Sequence, residues 1–176
     1  MSRFTDPLFL LPLAHLDLGA DDKTWILMNS NFCYEVGYLG SEELICVPTG
    51  FITDLASVPR LLWPIVNPTG SRISRGAVVH DYLYRSAAMR EKYKRKDADR
   101  IIRNAIKAAG GPSSRAFIVW LALRMFAWWA WHKGGKGTDK TLVLPLKERP
   151  KLEQNSDGGL EVCENADIAV AVRRLN

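Results

Sequence analysis

The residues best suited to chemistry in this 176-residue chain lie in His80-Asp81-Tyr82-Leu83-Tyr84. Positions 77, 80, 81, 84 and 88 follow the i, i+3, i+4, i+7 spacing of one helical face, and they are Ala77, His80, Asp81, Tyr84 and Ala88. A solvated face would carry Lys, Glu and Gln; small residues around a His, an Asp and a Tyr suit a cleft better. His80 has the nearby side chain whose ordinary pKa lies close to neutrality, so it is the candidate general base. A base needs a carboxylate to fix its tautomer, and the next predicted helix offers Asp99, with Asp97 as the alternative. Antiparallel packing levels Asp99 with His80 if the first helix ends near 85, and brings it closer to Tyr84 if the helix runs to 88. Asp81 is then the ligand for a metal ion or a substrate cation, and Tyr84 the hydrogen-bond donor to the orienting carboxylate.

A second block is Gly50-Phe51-Ile52-Thr53-Asp54-Leu55-Ala56-Ser57-Val58-Pro59-Arg60. Here a strand ends at Thr53 and a tight turn begins at Asp54, with Ser57 and Arg60 facing outward. Asp54 is a candidate oxygen ligand beside Asp81. An equally weighted reading makes Asp54 a turn cap paired with Arg60. Carboxylate ligation suits calcium or magnesium. A zinc site is disfavoured, because His15 and His132 are remote and the cysteines do not cluster. There is no Gly-rich phosphate loop and no nucleophile elbow.

The elements that must position these groups change character along the chain. Short apolar runs at 9–13, 25–28, 32–38, 44–47 and 50–54, separated by turn clusters, predict a small antiparallel sheet over about 8–59. Prolines 59, 64 and 68 break the run to Gly70. Helices are predicted from Ser71 or Ser74 to 85 or 88, over 96–109, and over 113–133. Strands followed by helices argue for an α+β domain over 1–135, with an extended or partly ordered tail over 136–176.

Hydrophobic residues make up 47% of the chain, enough for a real core, and the formal net charge is +5. Mild positive charge suits an anionic partner such as a lipid headgroup layer, a nucleic acid or an acidic protein surface and does not choose among them, while no recognition motif supports nucleic-acid binding. The basic stretch after the first helix (Arg85, Arg90, Lys92, Lys94, Arg95, Lys96) would suit anionic lipid but is expected to be a solvated loop. Cys33, Cys46 and Cys163 are widely spaced and odd in number; Cys33 and Cys46 fall in runs that neighbouring strands would bring together, but buried free thiols and synthesis in a reducing cytoplasm are the expectation. The N-terminus lacks the pattern of a signal peptide. The third helix holds four of the six tryptophans (Trp120, Trp128, Trp129, Trp131) and is interrupted by Arg124. It falls short of the about 20 apolar residues of a membrane span, so a core helix is expected first. A helix at a membrane surface or in a partner's groove comes second.

Three blocks in order, 50–60, Ala77-Val78-Val79-His80-Asp81-Tyr82-Leu83-Tyr84, and Ala98-Asp99-Arg100-Ile101-Ile102, resemble a family of unknown function found in tailed bacteriophages and prophages. The likeness covers roughly residues 30–130 and implies a phage origin. His80-Asp81-x-x-Tyr84 with the later Asp99 is also similar to the motif of secreted calcium-dependent phospholipases and the related domain of parvovirus capsids. That similarity implies that His80 activates water, Asp81 ligates calcium, and Asp99 orients His80 with help from Tyr84. Those enzymes carry a Gly-rich calcium loop upstream; here Asn67-Pro68-Thr69-Gly70 stands in its place, so calcium binding would need Asp54 as a substitute. The expectation is therefore a phage-encoded, metal-dependent hydrolase acting on a lipid or other ester at the bacterial envelope. It would be made in the host cytoplasm and then delivered to the envelope or carried on the virion. The competing expectation is a non-catalytic virion or tail-assembly protein that meets other phage proteins through its Trp-rich helix. In that case the polar cluster is a structural network.

Overall fold

A computed structural model describes residues 3–13, 24–28, 32–38, 40–55, 71–133, 143–144, 151–154 and 160–163. The architecture is α+β: small antiparallel sheets lead and helices follow. Strands β1 (Leu10–Pro12), β2 (Trp25–Leu27) and β5 (Ile52–Thr53) form one sheet in the order β1-β2-β5, and β3 (Phe32–Glu35) pairs with β4 (Leu44–Val47) as a hairpin. Each coincides with one of the predicted apolar runs. Two further strands, β6 (Lys151–Gln154) and β7 (Leu160–Cys163), pair antiparallel within the stretch expected to be an extended or partly ordered tail.

Cys33 and Cys46 are not free thiols. They stand directly opposite each other on β3 and β4 and are joined by a disulfide. The N–H and C=O of Cys33 bond to Thr5 on the other side of the strand, so the Cys33–Cys46 pair sits at a position without ladder bonds, where side chains are closest. The bonded pair removes the cysteine argument for a reducing compartment.

The helices are α1 (Ser71–Arg85), α2 (Ala87–Lys92), α3 (Arg95–Ala108), α4 (Ser113–Phe126) and α5 (Trp128–Lys133). The basic stretch expected as a loop contains α2, which follows α1 after the single residue Ser86. The predicted third helix is likewise two helices, separated at Ala127.

Helix α1 is packed on two sides. Ala77, Val78, Val79 and Leu83 join Leu27, Phe32, Tyr34, Ile45, Val47 and Phe51 from the strands in one core. Ile73 faces the other way, into a cluster with Ile102 and Ile106 of α3 and Ala116, Val119 and Leu123 of α4. A helix covered on opposite faces has little room for a wet stripe, and Ser74, His80 and Asp81 are buried with the apolar residues. Gly76 permits the close approach of α3: a Cβ built there would lie 3.1 Å from Ile106 Cγ1 and 3.4 Å from Ile102 Cγ1. Helix α3 stops in a Schellman turn, in which Gly110, at φ +80°, and Gly111 return their N–H groups to the carbonyls of Lys107 and Ile106. A Cβ on Gly111 would be 2.6 Å from Ile106 Cγ2, so the turn into α4 needs glycine there.

Candidate active site

Ending α1 at Arg85 levels Asp99 of α3 with both His80 and Tyr84. Asp99 Oδ1 lies 3.3 Å from His80 Nε2 and accepts the Tyr84 hydroxyl at 2.5 Å. The imidazole and phenol rings lie against each other with centroids 4.1 Å apart. Asp97, the alternative carboxylate, is engaged at the start of α3, accepting the Lys94 N–H and pairing with Arg100 at 3.2 Å.

The other carboxylate oxygen is held by groups the sequence had not singled out. Arg124 of α4 donates to Asp99 Oδ2 at 3.0 Å, and Arg95 Nη1 stands 3.9 Å from the same atom. Arg124 had looked like a mere interruption of an apolar run; a cation inside such a run is the signal that a buried acid awaits it. Asp99 is 0% exposed and His80 1%. Burial alone lifts the Asp99 carboxyl, but hydrogen bonds from His80 and Tyr84, with attraction to His80 and Arg124, outweigh it and hold the pKa below the usual range. The Tyr84 hydroxyl is driven well above the ordinary phenol value, first by burial and then by its bond to Asp99. The site therefore contains an ionised carboxylate and a neutral phenol at neutral pH.

An ionised Asp99 accepts and cannot donate, so Nε2 carries the hydrogen that faces it, and in the imidazole form the lone pair is on Nδ1. Nδ1 is buried and has no hydrogen-bond partner among the described residues. Leaving such an atom unpaired costs about 1–3 kcal/mol. The ring is thus oriented through one nitrogen and uncommitted at the basic one.

Asp81 faces the sheet: its Oδ2 accepts the Thr53 hydroxyl, and Thr53 Oγ1 in turn accepts the Leu55 N–H at 3.1 Å. Leu55 adopts φ +50°, which marks the turn predicted after Thr53. Asp54 pairs with Arg85 at 2.7 Å, and the same guanidinium donates to the Ile52 carbonyl at 2.9 Å. Ser57 and Arg60 lie outside the described residues. Among the described residues no three His, Cys, Asp or Glu groups converge as an ion site. Asp54 is matched to the Arg85 cation and Asp81 to the Thr53 hydroxyl.

The Trp-rich segment differs from the core helix expected of it. One face of α4 is buried through Ala116, Val119, Ala122 and Leu123. The opposite side of α4 exposes Phe117, Leu121 and Met125, and Phe126, Trp128 and Trp129 are exposed around the break into α5, each of the six between 41% and 59% accessible. Trp131 turns inward instead, edge-on to Tyr84 at 4.9 Å and under the Arg90 guanidinium at 4.7 Å. Arg103 lies over the Phe117 and Trp120 rings at 5.6 Å and 5.5 Å. From Arg100 to Lys133 the sequence carries Arg100, Arg103, Lys107, Arg115, Arg124 and Lys133 and no Asp or Glu. No described helix is long and apolar enough to cross a membrane.

Fold and site together define an α+β protein built around a buried His–Asp–Tyr cluster at a helix–helix seam. The chain belongs to a family described as a protein of unknown function, DUF1353, whose model matches residues 27–123. The match takes in β3, β4, β5 and α1 to α3, hence His80, Asp81, Tyr84, Asp99 and Asp54, and stops one residue short of Arg124. No curated protein and no solved structure matches the chain.

Proposed function

We propose that this chain is a phage-encoded hydrolase of lipid esters, in which His80, oriented by Asp99, is the general base. The observation that carries the reading is the buried Nδ1, without a hydrogen-bond partner among the described residues, opposite an Nε2 that faces an ionised carboxylate. A water proton passes to Nδ1 as the water oxygen bonds to the ester carbonyl carbon. When the C–O bond breaks, the departing alkoxide oxygen takes that proton back, so the imidazole ends as it began. Asp99 holds the tautomer and faces the transient imidazolium, and Tyr84 and Arg124 hold Asp99. With His80 at 1% exposure, substrate reaches Nδ1 only when neighbouring side chains are displaced. The exposed aromatic side of α4 and α5, set in a segment without acids, supports an anionic lipid surface as the place of work. The phage origin rests on the sequence resemblance.

Fatty-acid release from mixed phospholipid vesicles, with calcium and with chelator, tests the reading. The wild type should release fatty acid and folded His80→Gln should lose roughly 10²–10⁴-fold. Equal rates would end the proposal. A rate abolished by chelator and restored by calcium would bring in ion ligands beyond the described residues and return Asp81 to the role of ligand.

The burial of His80 and Asp99 favours a second reading, a virion or tail-assembly protein whose cluster locks α1 to α3 and α4. On that reading His80→Gln lowers the melting temperature and no vesicle is hydrolysed by any variant.

A further inference from the structure

Beside the β1–β2 edge and the first turns of α1 lies a cavity of about 450 Å³, within the range of about 300–1,000 Å³ typical of small-ligand sites. Leu8, Leu10, Trp25 and Leu55 give it apolar walls, and Arg72 and Arg75 line it with charge. Neither arginine has a carboxylate within ion-pairing distance among the described residues. Arg72 donates to the Gly110 carbonyl at 3.0 Å, and Arg75 reaches the Asp6 carbonyl at 3.5 Å while lying 5.5 Å over the Phe4 ring. Carbonyls and a ring face orient a guanidinium without neutralising it, so both charges remain available to an anion.

We infer that this cavity binds a single-chain amphiphile with one anionic head, carboxylate or phosphate. The head sits against Arg72 and Arg75, and the chain lies among Leu8, Leu10, Trp25 and Leu55. Apolar walls under two cations that have no carboxylate partner among the described residues match that ligand and disfavour a fully hydrated polyanion, which would leave the walls unused. The inference does not rest on His80 chemistry, since His80 is not among the wall residues.

Calorimetric titration of the full chain with laurate, dodecyl phosphate, dodecanol and inorganic phosphate tests it. The two anionic amphiphiles should bind at least roughly tenfold tighter than dodecanol and than phosphate. Arg75→Gln and Arg72→Gln should each erase much of that margin, Ala109→Phe should fill the cavity and abolish binding, and His80→Gln should bind as wild type does. Whichever of laurate and dodecyl phosphate binds tighter identifies the head group. Dodecanol binding as well as laurate would remove the role of the guanidiniums. Phosphate binding as well as dodecyl phosphate would remove the role of the walls, and unchanged binding by folded Ala109→Phe would remove the cavity. Either of the first two results overturns the inference even where Ala109→Phe fails to fold.

Discussion

Arg124 of α4 holds one oxygen of Asp99 while His80 of α1 faces the other, so a single carboxylate of α3 ties three helices together. Removing the cation should leave a buried anion short of a partner. Arg124→Leu is expected to cost roughly 2–3 kcal/mol, less than the about 3–5 kcal/mol of a fully sealed pair. The guanidinium is one-third exposed, and Arg95 remains nearby. Urea unfolding measures it; a loss under about 0.5 kcal/mol would deny the contact weight.

The depressed pKa of Asp99 gives the same cluster a pH signature. The carboxyl titrates lower in the folded chain than the about 3.9 of the unfolded one. Its contribution is therefore complete above the unfolded value and lost as pH falls through the folded value. Glu43, also lowered, by its bonds to Tyr93 and Lys92, acts in the same direction, so the difference between wild type and Asp99→Asn isolates the Asp99 share. Denaturation from pH 6 to 3, an interval chosen to bracket about 3.9, should show a shallower acid loss in Asp99→Asn. Parallel curves would contradict the assignment.

Gly76 sets the spacing between α1 and α3. Alanine gains about 1 kcal/mol in helix propensity but meets Ile106, which is fully buried and cannot move aside. The expected net effect of Gly76→Ala is a loss of roughly 1 kcal/mol, and in an Ile106→Ala background, where Cγ1 is gone, that loss should largely disappear. Additive losses in the double mutant would show that the two positions do not meet.

The Cys33–Cys46 bridge closes a short loop, with a sequence separation of 13, and Cys46 is exposed to reductant. A loop of about 15 residues is worth about 3 kcal/mol when closed. Thiol-reducing agent should lower the melting temperature of wild type and leave Cys33→Ser/Cys46→Ser unmoved; equal melting curves with and without reductant in wild type would contradict this.

The exposed aromatic side of α4 and α5 should meet anionic vesicles in preference to zwitterionic ones. Tryptophan emission of the wild type should shift to the blue on binding, and Trp128→Ala/Trp129→Ala should bind at least roughly tenfold more weakly. Binding indifferent to lipid charge, or to the double substitution, would remove the membrane from the account.

Much of the frame was legible in the chain because periodicity is local. Asp99 could be reached as the acid of the next helix that antiparallel packing levels with His80, and the strand runs announced themselves by their turns. What stayed hidden depended on what lies across the fold. Small residues around His80 suggest a cleft as readily as a seam, and only the packing of α1 on both sides decides for burial. Arg124, Thr53 and Arg85 acquire meaning only once α4 and β5 lie beside α1. The disulfide could have been found, since a hairpin turning about Gly37 and Gly40 puts position 33 opposite 46. The α4 exposure could not, because an apolar run does not say which of its faces is covered.

In the proposed hydrolase His80 takes a proton from water at Nδ1. Initial rates of fatty-acid release by wild type and by His80→Gln, on the same vesicles and with folding of both confirmed by circular dichroism, test it most directly. The account predicts measurable turnover in the wild type and a fall of roughly 10²-fold or more in the variant. Turnover that survives the substitution, or none in either protein, would contradict it.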